Sequence, residues 1–330
     1  MGQNRSRVRL SRRQLIAALP LLDRVRAQDS PPVSFSTDVK LVNLFATVRD
    51  RQGRVVKGLA AADFELYEDE RRQTIRYFSA ESNVPLRVGL IVDISGSMAR
   101  RLADEREASH RFFHQVLRPE QDRAFLIRFD QQVEVMQPPT GLAGLLDKAA
   151  GELPRHAEWR RERLLARPVT NGGRCGYGSS AIRDAVFVTC REILRRERGR
   201  KALIVLSDGL DNGSCVPLRT AIEAAQRADA IVYTLLFLDP GPARVAKKEG
   251  IGGYPGRPLM EQVAARTGGR LFLPGLDTTL TKAFAAIEED LRNQYGIAYT
   301  PDAPSAGFHQ IRVETRQRYV VQTREGYYGE

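Results

Sequence analysis

The run Leu86–Asp93, Leu-Arg-Val-Gly-Leu-Ile-Val-Asp, constrains the fold more than any other stretch of the chain. Its apolar residues are nearly continuous. As a strand it must therefore be covered on both faces, which is the habit of parallel sheets packed between helices. The run ends on Asp93, and hydroxyls follow at Ser95 and Ser97. In extended backbone, residues two apart face the same side. Asp-x-Ser-x-Ser at a strand exit can thus aim one carboxylate and two hydroxyls at one point. Hard oxygen donors of this kind suit a magnesium-like ion and suit zinc or copper poorly. The competing reading is a Gly-containing turn whose polar side chains cap the next helix, and the remainder of the chain has to decide.

From Leu86 onward, strands alternate with amphipathic helices. Strands are predicted at Val88–Asp93, Arg123–Phe129, Val133–Met136, Ala202–Ser207, Ala230–Phe237 and Arg270–Leu273. Helices are predicted at Arg101–Leu117, Leu142–Leu153, Ala181–Arg196, Ala221–Ala228, Leu259–Thr267 and Thr278–Asn293. This rhythm calls for an α/β fold: a doubly wound, mostly parallel sheet with helices on both faces, its parallel strand exits gathered at one edge. Before it, Val39–Val48, Val55-Val56, Phe64–Tyr67 and Thr74–Phe78 read as short strands, with one helical turn around Leu59–Phe64. After it, Gly296–Thr300, Gly307–Thr315 and Tyr319–Thr323 return to strand alternation. Small isolated sheets are marginal, so head and tail are expected to pair into one small β-sandwich. The expected division is a leader at 1–27, a linker at 28–36, the sandwich's first part at 37–84, the α/β region at 85–294 and the second part at 295–330.

The net charge of +11 over 330 residues raises the question of nucleic acid. Residues 1–27, however, carry seven arginines against the single acid Asp23, and the remaining basic residues are scattered rather than interleaved with aromatics. No nucleic-acid partner is expected. No apolar run is long enough to span a bilayer as a helix. Within the leader, Ser11-Arg12-Arg13-Gln14-Leu15-Ile16 resembles a twin-arginine export signal, and Val25-Arg26-Ala27 offers small residues for cleavage. The expectation is an exported, periplasmic or extracellular bacterial protein. Of the three cysteines, Cys190 lies in an apolar helical pattern, while Cys175 and Cys215 lie in polar loops; a disulfide between those two would leave one thiol over.

A second apolar strand, Ala202–Ser207, exits into Ser207-Asp208-Gly209, and the loop Gly176-Tyr-Gly-Ser179-Ser180 offers hydroxyls just before a helix. In a doubly wound sheet, ligands bind beyond the carboxyl ends of the strands, where Asp93, Ser95, Ser97, Ser180 and Asp208 can gather. These three motifs, in this order on these elements, resemble the metal-ion-dependent adhesion site (MIDAS) of a von Willebrand factor type A (VWA) domain over residues 85–294. The flanks Asp63–Asp69 and Arg324–Tyr328 resemble an exported bacterial subfamily of such proteins that is frequent in acidobacteria. The resemblance implies Asp93, Ser95 and Ser97 as first-motif ligands, Asp208 as the third-motif aspartate, and Ser180 where the family has threonine, with Ser179 as its rival. Asp211 and Asn212 read as turn formers.

The implied cofactor is Mg2+ (or Mn2+ or Ca2+). The implied role is a non-catalytic, adhesion-type module of the cell envelope, capturing an acidic residue of a partner protein. Two carboxylates and three hydroxyls fall short of the roughly six oxygens such a cation takes, which leaves room for that carboxylate. An alternative is a regulatory or assembly subunit acting with an ATPase. A serine hydrolase is disfavoured, because Gly-x-Ser-x-Gly is absent and none of His110, His114, His156 and His309 lies in a loop visibly paired with an acid. His110 and His114 are four apart on one helical face, but Arg111 stands where a zinc protease needs glutamate. The pair reads as surface or packing. A Cys175–Cys215 disulfide would tie the second and third ligand loops together.

Overall fold

The computed structural model describes residues 41–80, 84–118, 120–154, 180–238, 254–302 and 305–329. The leader, the linker, Cys175, Ser179 and His156 lie outside the described residues. The head contains β1 (Val42–Arg49), β2 (Phe64–Glu68), β3 (Arg71–Gln73) and β4 (Tyr77–Ser79), with a single 3-10 turn at Ala61–Asp63. The centre begins with β5 (Leu86–Asp93), α1 (Leu102–Val116), β6 (Arg123–Phe129), β7 (Val133–Thr140) and α2 (Ala143–Gly151). It continues with α3 (Ile182–Val188), β8 (Arg200–Ser207), α4 (Leu218–Arg227), β9 (Ala230–Leu236), α5 (Arg257–Thr267), β10 (Leu271–Phe272) and α6 (Leu280–Arg292). The tail adds β11 (Tyr295–Tyr299), β12 (Gly307–Thr315), β13 (Val320–Gln322) and β14 (Gly326–Gly329).

The central sheet has the order β10-β9-β8-β5-β6-β7, parallel except for the antiparallel edge strand β7. Strand β5 lies between β8 and β6, and every residue from Val88 to Asp93 is buried. Its alternate side chains feed two apolar layers. Val88, Leu90 and Val92 join α1, α2 and α6 through Phe112, Phe113, Leu146 and Phe284. Ile91 joins α3, α4 and α5 through Ile182, Ala185, Ile222 and Val263. Two covered faces are the physical reason for the continuous apolar run. At the edge, β7 runs on through Pro138, which an edge strand tolerates because its outer N–H groups have no partner to lose.

Head and tail strands interleave in two further sheets, β13-β1-β11-β4 and β14-β12-β2-β3. Leu44, Val48, Leu66, Tyr295, Tyr299 and Val313 close the core between them. Local expectations shift in three places. Of the strand predicted at Thr74–Phe78 only Tyr77 and Phe78 lie in a strand, β4; residues 74–76 link it to β3 in the other sheet, because the chain crosses the sandwich there. Val55 forms only an isolated bridge to Arg49. The helix predicted over Ala181–Arg196 is α3 followed by a π turn at Thr189–Ile193 and a 3-10 turn at Leu194–Arg196, with Cys190 and Leu194 both in the apolar layer.

One buried carboxylate ties the base of the sheet. Asp122 Oδ1 accepts the Leu86 amide at 2.8 Å. Its Oδ2 accepts the Arg118 amide at 2.9 Å, Arg118 Nε at 3.1 Å and Arg292 Nη2 at 2.9 Å. Burial opposes the charge, but hydrogen bonds from Arg118, the Leu86 amide and Arg292 outweigh it and hold the carboxyl down to about 2. The folded pKa lies below the unfolded one. Its stabilisation is therefore complete above the ordinary carboxylate range and is lost as pH falls through about 2. Asp122→Asn is expected to cost about 2 kcal/mol at pH 7 in urea unfolding. The difference from wild type should fade as pH is lowered from 4 towards 2.

Candidate metal centre

In-register pairing of Val92 with Leu206 sets Asp93 beside Ser207 at the carboxyl ends of β5 and β8. Asp93 is fully buried. Its Oδ1 accepts the Ser95 amide at 2.8 Å, and its Oδ2 accepts the Ser180 hydroxyl at 3.0 Å and the Ser207 hydroxyl at 2.6 Å. Ser95 and Ser97 hydroxyls lie 3.2 Å apart, with Ser95 buried and Ser97 exposed. Asp208 follows on the strand exit, 4% exposed, and its Oδ1 accepts the Leu210 amide at 3.0 Å. Thus Asp93, Ser95, Ser97, Ser180 and Asp208 stand at one sheet edge, contributed by three loops.

Burial pushes the Asp93 carboxyl up to about 6, against hydrogen bonds from Ser207 and Ser95, and Asp208 adds to the rise. A third carboxylate, absent from the sequence motifs, belongs to the same region. Glu105 of α1 is fully buried, and neither of its oxygens has a hydrogen-bond partner. Burial holds its carboxyl well above the usual range, and the nearby charge of Asp93 adds to this. No Lys or Arg among the described residues donates to Asp93, Asp208 or Glu105. Orphaned buried carboxylates are costly, and an all-oxygen donor set beside them fits a hard divalent cation. The hydroxyls would hold the ion together with the aspartates. Glu105 was hidden because a single acid in an amphipathic helix reads as surface.

The neighbouring loop is held by three further side chains. Asp184 of α3 accepts the Cys215 amide at 3.0 Å and the Val216 amide at 2.8 Å. Asp211 accepts the Arg183 amide and Arg183 Nε, each at 2.9 Å, and the Ser214 hydroxyl at 2.9 Å. Asn212 Oδ1 accepts the Ser180 amide at 3.4 Å. Asp211 and Asn212 thus reach back across the sequence to Arg183 and Ser180, tying this loop to the start of α3. Cys215 is disulfide-bonded, and Cys190 is free and buried.

The histidines correct an expectation, since each described one meets an acid. His110 and His114 both meet Asp147. His309 Nδ1 lies 2.8 Å from Asp69 Oδ2, and its Nε2 lies 3.2 Å from the Ser305 hydroxyl, which has the connectivity of a hydrolase triad. The chemistry disagrees. His309 Nε2 also faces the Ser305 carbonyl at 3.0 Å, a contact that requires it to donate. Burial opposes the imidazolium, but Asp69, the Ser305 carbonyl and Glu68 favour it and raise the pKa overall. A ring protonated at Nε2 cannot take a serine proton.

Behind Asp208, Gly209 has φ +76° and touches the Gly256 backbone just before α5; a Cβ on it would lie 2.6 Å from the Gly256 carbonyl oxygen. Gly53 has a matching φ of +79° with open space around it. Gly53→Ala is therefore expected to cost about 1 kcal/mol, from backbone strain alone. Gly209→Ala should cost clearly more in the same denaturant titration, because the Asp208 loop must also move.

No protein-family model matches the chain, and no curated protein matches it. Several solved structures align with it. The conserved hypothetical protein BatB from Bacteroides thetaiotaomicron is 18% identical with a TM-score of 0.44, over 62% of this chain and 97% of that one. A von Willebrand factor type A protein from Catenulispora acidiphila is 10% identical with a TM-score of 0.45, over 77% of this chain and 70% of that one. Proximal thread matrix protein 1 from the mussel byssus, with a zinc-occupied MIDAS motif, is 12% identical with a TM-score of 0.46, over 68% and 50% of the two chains. Likenesses at this level transfer no role to the chain.

Proposed function

We propose that this chain is a non-catalytic protein-binding module of the VWA type, of the exported bacterial kind, that works in the cell envelope. In this reading Asp93, Ser95, Ser97, Ser180 and Asp208 hold Mg2+ (or Mn2+ or Ca2+), and the cation captures a carboxylate presented by a partner protein. Residues 1–27 are its export signal, 85–294 its VWA domain, and 37–84 with 295–330 its sandwich. Cys175 is the partner of Cys215, joining the loops that carry Ser180 and Asp208.

The observation that carries the reading is the bond from the Ser180 hydroxyl to Asp93 Oδ2, made across 87 residues of sequence, beside the Ser207–Asp208 exit. It supports a site assembled by the fold rather than a locally capped turn. Binding is favoured over catalysis in this reading because the five groups are aspartates and serines alone, with no His, Lys or Cys among them. A cation with positions left over by five protein groups retains positive charge for an outside carboxylate.

Mg2+ at about 100 times its Kd is expected to stabilise the fold by about 2.7 kcal/mol, which corresponds to a rise in Tm of about 5 °C or more. Asp93→Ala and Asp208→Ala should lose that rise. An equal rise in both variants would overturn the reading. Binding of an acidic partner should depend on Mg2+, reverse with EDTA and disappear in Asp208→Ala.

A further inference from the structure

On the outer surface of α1 and α2, three donors converge that play no part in the oxygen cluster. His110 Nδ1 lies 2.7 Å from Asp147 Oδ1, and His114 Nε2 lies 2.8 Å from Asp147 Oδ2. The two imidazoles sit edge to face with centroids 4.7 Å apart, and all the donor atoms lie within 4.8 Å of one another. We propose that His110, His114 and Asp147 form a second metal site, selective for a transition-metal ion of the Zn2+ class, with at least one coordination position open to solvent or to an external ligand.

Position and chemistry both support this assignment. Residues four apart on a helix share a face, so α1 presents both rings to one point, and α2 brings Asp147 opposite. Both helices are anchored in a single apolar layer, where Phe113 on α1 and Leu146 beside Asp147 are fully buried. The backbones that carry the donors are therefore fixed, while the side chains themselves are free to adjust, being 57%, 51% and 27% exposed. Tetrahedral zinc with bonds of about 2.0–2.2 Å places its donors roughly 3.3–3.5 Å apart. The observed N···O separations need to open by about 0.5–0.8 Å, and the ligand atoms of the three residues already lie within 4.8 Å of one another.

Two imidazoles and a carboxylate suit zinc, cobalt, nickel or copper, and they are a poor set for magnesium. The site thus draws on a different class of ion from the Asp93 cluster. Arg111 occupies the position after His110 where a hydrolytic zinc site would carry its glutamate base, so binding and cross-linking of α1 to α2 is the function assigned, not peptide hydrolysis. A site exposed to this degree has an entry path, and its open position is available to water or to a donor from outside the chain.

The test uses the full chain without an affinity tag, with Mg2+ in excess so that oxygen-lined positions are occupied. Zn2+ binding is measured by calorimetry, and Co2+ binding by its visible d–d bands, which report tetrahedral nitrogen and oxygen ligation. The wild type is expected to bind one equivalent, and Asp93→Ala is expected to bind equally well. His110→Ala, His114→Ala and the double variant should each weaken binding by about tenfold or more. Because all three side chains are partly exposed, circular dichroism should show the variants folded. Absence of the Co2+ bands in wild type would overturn the proposal, as would full retention of binding in the double variant. Binding lost in Asp93→Ala but kept in the double variant would assign the ion to the oxygen cluster and overturn it as well.

Discussion

Asp93 has no exposed surface at the exit of a strand covered on both faces, where leaving a carboxylate uncompensated costs several kcal/mol. The groups that meet it come from three places: its own turn through the Ser95 amide, the start of α3 through Ser180, and the end of β8 through Ser207. One desolvated side chain therefore fixes the mutual placement of three loops. That placement holds only if β5 and β8 keep their register, since sliding the pair by one residue would remove Ser207 from reach. The remaining imbalance, with Asp208 and Glu105 nearby and no basic donor among the described residues, makes a cation the natural complement of the site.

Much of this was legible in the chain because it depends on periodicity. Continuous apolar runs at Leu86–Asp93 and Ala202–Ser207 predict a sheet covered on both faces, and the carboxylates at their exits predict a shared edge. Alternation in the head and tail predicts strands that need each other. The less legible parts depend on tertiary geometry. Gly326–Gly329 forms an edge strand whose glycines interrupt the alternation, and the π turn after Val188 has no periodic signature. Glu105 looks like any surface acid until its burial is known. Asp147 carries no local signal at all. Its meaning depends on α2 lying against α1, so a histidine pair that reads as surface or packing becomes part of a trio only in three dimensions.

The sandwich also positions the α/β region. Arg49 of β1 forms a buried ion pair with Asp290 of α6, and the Arg200 guanidinium stacks over Phe45 at 5.3 Å. In the tail, Arg324 donates to the Asn43 carbonyl at 2.8 Å and the Gln226 carbonyl at 3.2 Å, while Gln322 donates to the Gly268 carbonyl at 2.8 Å. Polar anchors of this type fix orientation more than they add stability, since a buried pair recovers little beyond its own desolvation cost. Both sheets of the sandwich require strands from before and after the central region, so neither flank forms its layer alone.

This interleaving determines how tension would travel through the molecule. Strand β1 is hydrogen-bonded to β11 and β13, and β2 to β12, so a pull entering at one flank and leaving at the other is carried by ladders within the sandwich. The region between β4 and β11 hangs from that clasp as a side loop of the load path. Asp93 and its neighbours would keep their geometry under traction until the clasp shears.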